Sequence, residues 1–205
     1  MGHYFINDDN LKSNINEIEV MIKNKKYVFR TDSGVFSKKG LDFGTRTLLE
    51  TLDLNNLKGD ILDFGCGYGP IGIFIKDNTN AIVDMVDINK RSASLAMANA
   101  TLNKVAVKVI VSDTYNFIDK KYDFIISNPP IRVGKEKLYQ ILFGAKDYLK
   151  PAGELWIVVN KNQGAKSLAV DLEKSYTVSI VNKHKGFYII RAINNWQVAF
   201  NLLKL

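Results

Sequence analysis

Residues 60–72 read Asp60-Ile61-Leu62-Asp63-Phe64-Gly65-Cys66-Gly67-Tyr68-Gly69-Pro70-Ile71-Gly72. A short apolar strand runs into a glycine cluster and on into a helix predicted over 70–78, with Pro70 suited to its first position. Glycines in such a loop let backbone approach a ligand where any Cβ would collide. Gly67, Gly69 and Gly72 match G-x-G-x-x-G, the dinucleotide fingerprint, so an NAD oxidoreductase is one reading. Three features oppose it: Pro70 at the helix start, Asp63 two residues before the first glycine, and the way the chain ends.

Working outward, strands alternate with helices. AIVDMVDI (81–88), VKVIVSD (107–113), YDFIISN (122–128) and GELWIVVN (153–160) read as strands. Helices are predicted over 89–103, 135–150 and near 163–174. Such alternation gives a parallel sheet with helices on both faces. TVSIV (177–181) and GFYIIRAI (186–193) are joined too tightly for a parallel crossover, so they pair antiparallel. Before residue 60, EIEVMI (17–22) and KYVFRT (26–31) flank Lys23-Asn24-Lys25 as a β-hairpin without the favoured Asn-Gly turn. A helix follows over Leu41–Leu54. Residues 194–205 carry Trp196, Phe200 and Leu203 at helical spacing, either a tail helix docked on the core or a self-association contact.

The chain has 205 residues, 46% of them apolar and 24% charged, which excludes a largely disordered protein and suits one domain. We divide it into a hairpin-and-helix extension (1–57), a core (58–194) and a tail (195–205). One cysteine, Cys66, and two histidines exclude a disulfide framework and make a metal site improbable. Cys66 reads as a small residue in a tight loop rather than a nucleophile. No apolar run reaches the ~20 residues of a membrane span, and MGHYFINDDN lacks the pattern of a signal peptide. The expected location is cytoplasmic. The net charge is +7, and residues 23–46 carry most of it, with seven cations (Lys23, Lys25, Lys26, Arg30, Lys38, Lys39, Arg46) against Asp32 and Asp42. That stretch is either a solvated hairpin face or a nucleic-acid contact surface.

Two further features converge on the carboxyl ends of the strands, where open α/β sheets bind ligands. Asp87 ends the second core strand, about 20 residues after the glycines, and suits a carboxylate accepting both hydroxyls of a ribose. Asp113 ends the third strand at the edge of the same crevice. Ser127-Asn128-Pro129-Pro130-Ile131 follows the fourth. Two prolines stiffen that loop and remove donors, leaving their carbonyls free. The Asn128 side-chain oxygen and the Pro129 carbonyl could together hold both hydrogens of a flat amine, aiming its lone pair at an electrophile.

Together these motifs resemble class I S-adenosylmethionine-dependent methyltransferases, and more closely the small-methyltransferase family of 16S and 23S rRNA guanine-N2 methyltransferases. The resemblance covers roughly 17–193. It includes Gly34-Val35-Phe36-Ser37, Leu41-Asp42-Phe43-Gly44-Thr45, LDFGCGYGPIG (62–72), VDIN (86–89), MANATLN (97–103), SDTY (112–115), YDFIISNPP (122–130), GELWIVVN (153–160) and GFYIIRA (186–192).

The resemblance implies a Rossmann-like, seven-stranded, mostly parallel sheet with an antiparallel last strand, and S-adenosyl-L-methionine as cofactor. It implies that Gly65, Cys66, Gly67 and Gly69 wrap the methionine part of the cofactor, with Asp63 orienting the loop. Asp87 would bind the ribose, and Ile88, Asp113 and Thr114 would lie around the adenine. Phe36, Gly44 and Thr45 would cover the cofactor from the N-terminal side. Asn128, Pro129 and Pro130 would hold the acceptor amine. Ile131 stands where the family has a base-stacking aromatic. The cationic stretch 23–46, including Lys38, Lys39 and Arg46, with Arg132, Lys135 and Lys137 beside the Asn-Pro-Pro loop, would grip RNA phosphates. Larger family members carry a second, degenerate domain before this one. Docking here would therefore rely on the basic N-terminal segment or on a second subunit. A protein glutamine or a DNA adenine also presents a flat amine, and a non-catalytic RNA-binding assembly factor is a further alternative.

Overall fold

The computed structural model describes residues 12–37 and 40–195, so Lys38, Lys39 and the tail from Trp196 onward lie outside the described residues. The predicted hairpin forms from β1 (Asn16–Ile22) and β2 (Lys25–Thr31). Its turn is two residues long. Lys23 and Asn24 both take positive φ (43° and 65°), the backbone a type I′ turn needs even without glycine.

Helix α1 (Phe43–Thr51) follows. Asp42 caps it by accepting from the Thr45 N–H, and it ends three residues before the expected Leu54. The core then alternates β3 (Asp60–Phe64), α2 (Pro70–Asn78), β4 (Ile82–Asp87), α3 (Lys90–Leu102), β5 (Lys108–Val111), β6 (Tyr122–Ser127), α4 (Lys135–Gly144), β7 (Leu149–Asn160) and α5 (Ala165–Leu172). It closes on β8 (Thr177–His184) and β9 (Phe187–Ile193).

The seven strands are ordered β5-β4-β3-β6-β7-β9-β8. The first five pair in parallel, and β9 runs antiparallel between β7 and β8. Alternate residues of the central strands feed two cores. Ile61 and Ile126 face α1, α2, α3 and the hairpin. Leu62 and Ile125 face α4 and α5.

The hairpin is seated by two asparagines that sequence reasoning left without a role. Asn99, fully buried on α3, accepts from the Arg30 N–H (2.7 Å) and donates to the Arg30 carbonyl (2.9 Å) and to the Tyr68 carbonyl (2.8 Å). One helical turn later, Asn103 does the same to Val28 (3.3 and 2.8 Å). Residues four apart on a helix rise ~6 Å, close to the ~6.8 Å between alternate strand residues. The two amides therefore pair with the free edge of β2 as a neighbouring strand would.

Candidate active site

Strands β3, β4 and β5 and the loop after β6 open onto one cavity of about 210 Å³ at their carboxyl ends. Gly65 and Gly67 line it with φ of 70° and 57°, and a Cβ at either would meet no protein atom within 4 Å. Side chains there would enter the cavity itself. The loop is fixed from behind. Gly65 and Cys66 both donate to the Val86 carbonyl (2.8 and 2.9 Å), and Gly67 donates to Asp87 Oδ2 at 2.8 Å. Asp87 Oδ1 accepts from the Asn89 N–H at 2.8 Å. Burial raises the Asp87 carboxyl above its ordinary value, opposed by these backbone donors.

Asp63 lies beneath the loop, fully buried. Its Oδ2 accepts from the Gly72 N–H at 2.8 Å, and its Oδ1 has no hydrogen-bond partner. Burial, with the Asp87 charge adding to it, pushes its pKa up to about 7. The Cys66 thiol is also buried and raised well above its ordinary value by burial, then by Asp87 and Asp63, so it stays protonated and inert.

The acceptor corner is built by contacts that local sequence does not show. Asn128 Nδ2 donates to Asp42 Oδ2 (2.8 Å) and to Thr45 Oγ1 (2.9 Å). Thr45 Oγ1 in turn donates to Asp42 Oδ2 at 3.1 Å. A carboxylate can only accept, so the atom facing Asp42 must be the NH2, and the amide orientation is forced. Both amide hydrogens are used, and Oδ1 is left as the open acceptor. The Ser127 hydroxyl donates to the Phe64 carbonyl (2.7 Å), tying this loop to the glycine loop. The Pro129 carbonyl is not free as expected. It accepts from the Ile131 N–H at 2.9 Å, which leaves one of its two lone pairs.

Most residues singled out in the sequence meet here. Phe36, Thr45, Gly65, Cys66, Gly67, Asp87, Ile88, Asp113, Thr114, Asn128, Pro129 and Pro130 line the cavity. Others have different positions. Gly44 turns toward β9, where a Cβ would approach the Phe187 ring to 2.9 Å. Gly69 serves as the left-handed N-cap of α2 and packs against Ile73 and Met85. Ile131 packs into the α4–α5 core, because a 3-10 turn over Ile131–Val133 rolls it inward and brings Val133 to the cavity. Arg132 is exposed outside it. Arg46 is committed to the Met21 carbonyl (2.5 Å) and lies 3.9 Å from Glu50. Asp113 forms an ion pair with Lys137 of α4 at 3.0 Å across the cavity edge. Asp42, Tyr68 and Val133 were not predicted as site residues, while Lys137, expected to grip phosphate, is paired with Asp113 instead. Of the unpredicted residues, only Asp42 had a usable sequence signal, an aspartate near a helix start that suits an N-cap, although the expected helix began one residue before it.

Of the cationic stretch, Lys38 and Lys39 lie outside the described residues, and the cations of the N-terminal hairpin fit the solvated-face reading. The hairpin-tip lysines sit beside the carboxyl ends of α1 and α2, away from the cavity. Lys23 donates to the Leu52 carbonyl (2.6 Å), Lys25 pairs with Asp77 (2.5 Å), Lys26 with Glu19 (2.6 Å) and Arg30 with Glu17 (2.9 Å). These charges are answered locally and form no cationic grip around the cavity.

Comparison with known proteins bears on this geometry. The methyltransferase small domain model matches residues 10–191. The chain belongs to that family. It is 42% identical to the uncharacterized protein YbxB of Bacillus subtilis (strain 168), over 93% of this chain and 97% of that one. It is 45% identical to the ribosomal RNA small subunit methyltransferase C of Mannheimia succiniciproducens, over 62% of this chain but only 39% of that protein. Among solved structures it resembles the Thermus thermophilus 16S rRNA N2 G1207 methyltransferase in complex with AdoMet and guanosine. The TM-score is 0.80 at 23% identity, covering 90% of this chain and 52% of that one. The ribosomal protein L11 methylase of Lactobacillus delbrueckii subsp. bulgaricus also shares the fold, with a TM-score of 0.64 at 22% identity, 78% of this chain and 87% of that one. The family membership makes this small-domain chain an S-adenosylmethionine-dependent methyltransferase and removes the NAD reading.

The cavity suits that cofactor. Two glycines leave room that any Cβ would fill, and a buried carboxylate oxygen lacks a donor beneath the loop. Among the described residues, no cluster of His, Cys, Asp or Glu could hold a metal, and no helix is long and apolar enough to cross a membrane.

Proposed function

We propose that the protein methylates the exocyclic N2 of a guanine in ribosomal RNA. The observation that carries this is the forced orientation of Asn128, whose amide hydrogens are held by Asp42 and Thr45 while Oδ1 stays open, with Pro129 lining the same cavity. Two acceptors in one cavity match the two hydrogens of a flat exocyclic amine. Bound S-adenosylmethionine supplies an electrophilic methyl group. Gly65 and Gly67 make room for its methionine part, and Asp87 accepts from its ribose hydroxyls. Asn128 and Pro129 would hold the acceptor nitrogen with its lone pair toward that methyl, so that the N–C bond forms as the sulfonium C–S bond breaks, the thioether leaves and the surplus amine proton passes to solvent; positioning carries the rate. A guanine must leave its stack to enter the cavity, which is cheapest in single-stranded or disrupted RNA.

Guanine N2 is favoured by the kinship to the small-subunit rRNA methyltransferases, although the match spans well under half of their length. A single domain working in the cytoplasm, as a monomer or a homodimer, accords with this reading. The fold alone does not choose the acceptor, because a ribosomal protein methylase shares it.

The test is transfer of a tritiated methyl group to unmodified small-subunit and large-subunit rRNA, with binding of S-adenosylmethionine and NAD compared by calorimetry. Label in one rRNA supports the reading. Label only in protein amides or DNA adenine moves the acceptor, and binding without any transfer favours the assembly-factor alternative.

A further inference from the structure

We propose that the tip of the β8–β9 hairpin, with the residues just after β6 and β7, is the surface that docks the RNA substrate. This rests on the RNA methyltransferase reading above. The antiparallel insertion of β9 sets Phe187 opposite Asn160, the last residue of β7, so the β8–β9 turn rises at the carboxyl end of the sheet. That is the end where the cavity opens.

Cations follow one another across that edge. Arg132 follows β6, Lys161 follows β7, and Lys183 and Lys185 flank the turn between β8 and β9. With neighbouring strands ~4.8 Å apart, β6 to β8 spans ~14 Å. All four side chains are exposed. Among the described residues none of the four is in an ion pair, in contrast to the N-terminal hairpin.

The patch touches the acceptor corner. Phe43 follows Asp42, the residue that orients Asn128. The exposed His184 ring stacks on Phe43 (centroids 5.5 Å apart, interplanar angle 20°), Phe187 lies 5.7 Å from it, and the Lys185 ammonium stands 5.2 Å from its centroid. The Lys183 ammonium lies 5.2 Å from the Tyr188 ring. Exposed cations without ion-pair partners, set beside the exposed His184 ring, suit a phosphate backbone with unstacked bases, which take charge and stacking together. An acidic peptide would use the cations and leave the rings idle.

The test compares Lys183→Ala/Lys185→Ala with Lys25→Ala/Lys26→Ala. Affinity for an unmodified small-subunit rRNA transcript is measured over a range of salt, and S-adenosylmethionine affinity serves as the control for folding. The tip variant should bind RNA at least about tenfold more weakly, with a log–log salt slope smaller by about 1.5. Its cofactor affinity should be unchanged, and the N-terminal variant should bind RNA within about twofold of the native protein. A tip variant that binds RNA as the native protein does overturns the docking surface while leaving the methyltransferase reading intact, and this holds even if its binding of poly-glutamate changes. A native protein that binds no rRNA removes both.

Discussion

Asn128 is readable from its motif, but its competence depends on Asp42, 86 residues away in sequence. Asp42 does two jobs, capping α1 and fixing which face of the Asn128 amide meets the cavity. Asp42→Ser separates them. Serine keeps an N-cap acceptor but is too short to reach Asn128. This variant should keep its thermal stability and bind S-adenosylmethionine within about threefold of the native protein. Its kcat should fall tenfold or more, since a lost hydrogen bond in the reacting geometry is worth ~1.4 kcal/mol. An unchanged kcat would show that the amide needs no such clamp.

Asp63 gives a pH signature. Its folded pKa of about 7 lies above the ~3.9 of an unfolded aspartate. The fold therefore favours the protonated form. The stability it contributes is fully present below about pH 4 and is lost as pH rises through about 7. Asp63→Asn keeps an acceptor for Gly72 and cannot ionise. Between pH 5 and pH 8 the cofactor-free native protein should lose at least about 1 kcal/mol relative to this variant, measured by urea unfolding. Parallel pH profiles would contradict the buried, partnerless placement of Oδ1.

At the scale of elements, the pair β2–α3 shows what sequence could and could not deliver. Alternation in EIEVMI and KYVFRT was enough to read a hairpin, and the alanine-rich run 89–103 was enough to read α3. Nothing local says that Asn99 and Asn103 close the edge of β2, because their partners are about 70 residues distant. Asn99→Ala leaves the Arg30 amide and two carbonyls without partners in a buried site. It should cost about 2–3 kcal/mol, read as a lower urea midpoint. The more exposed Asn103→Ala should cost about 1 kcal/mol. Equal, negligible losses would mean that apolar packing alone seats the hairpin.

Over the whole molecule, the order of strands and helices was legible because most core strands, such as β3, β4, β7 and β9, are short apolar runs next to glycine, proline or asparagine. The glycine loop, Asp87 and Asn128 were legible because the carboxyl ends of parallel strands must converge. The distribution of charge was not. Lys23, Lys25, Lys26 and Arg30 dominate the sequence count, yet the fold sets carbonyl or carboxylate oxygens against each. Among the described residues, Arg132 and the sparser Lys161, Lys183 and Lys185 carry no ion pair at the carboxyl end of the sheet. Ile131 likewise took its place from a 3-10 turn that a residue-by-residue comparison does not reveal.

The most direct test of the central claim is nucleoside mass spectrometry of rRNA incubated with S-adenosylmethionine and either the native protein or Asn128→Ala. The acceptor geometry predicts N2-methylguanosine with the native protein and none with the variant, although the variant still binds the cofactor. N6-methyladenosine in place of N2-methylguanosine, or equal methylation by both proteins, would contradict it.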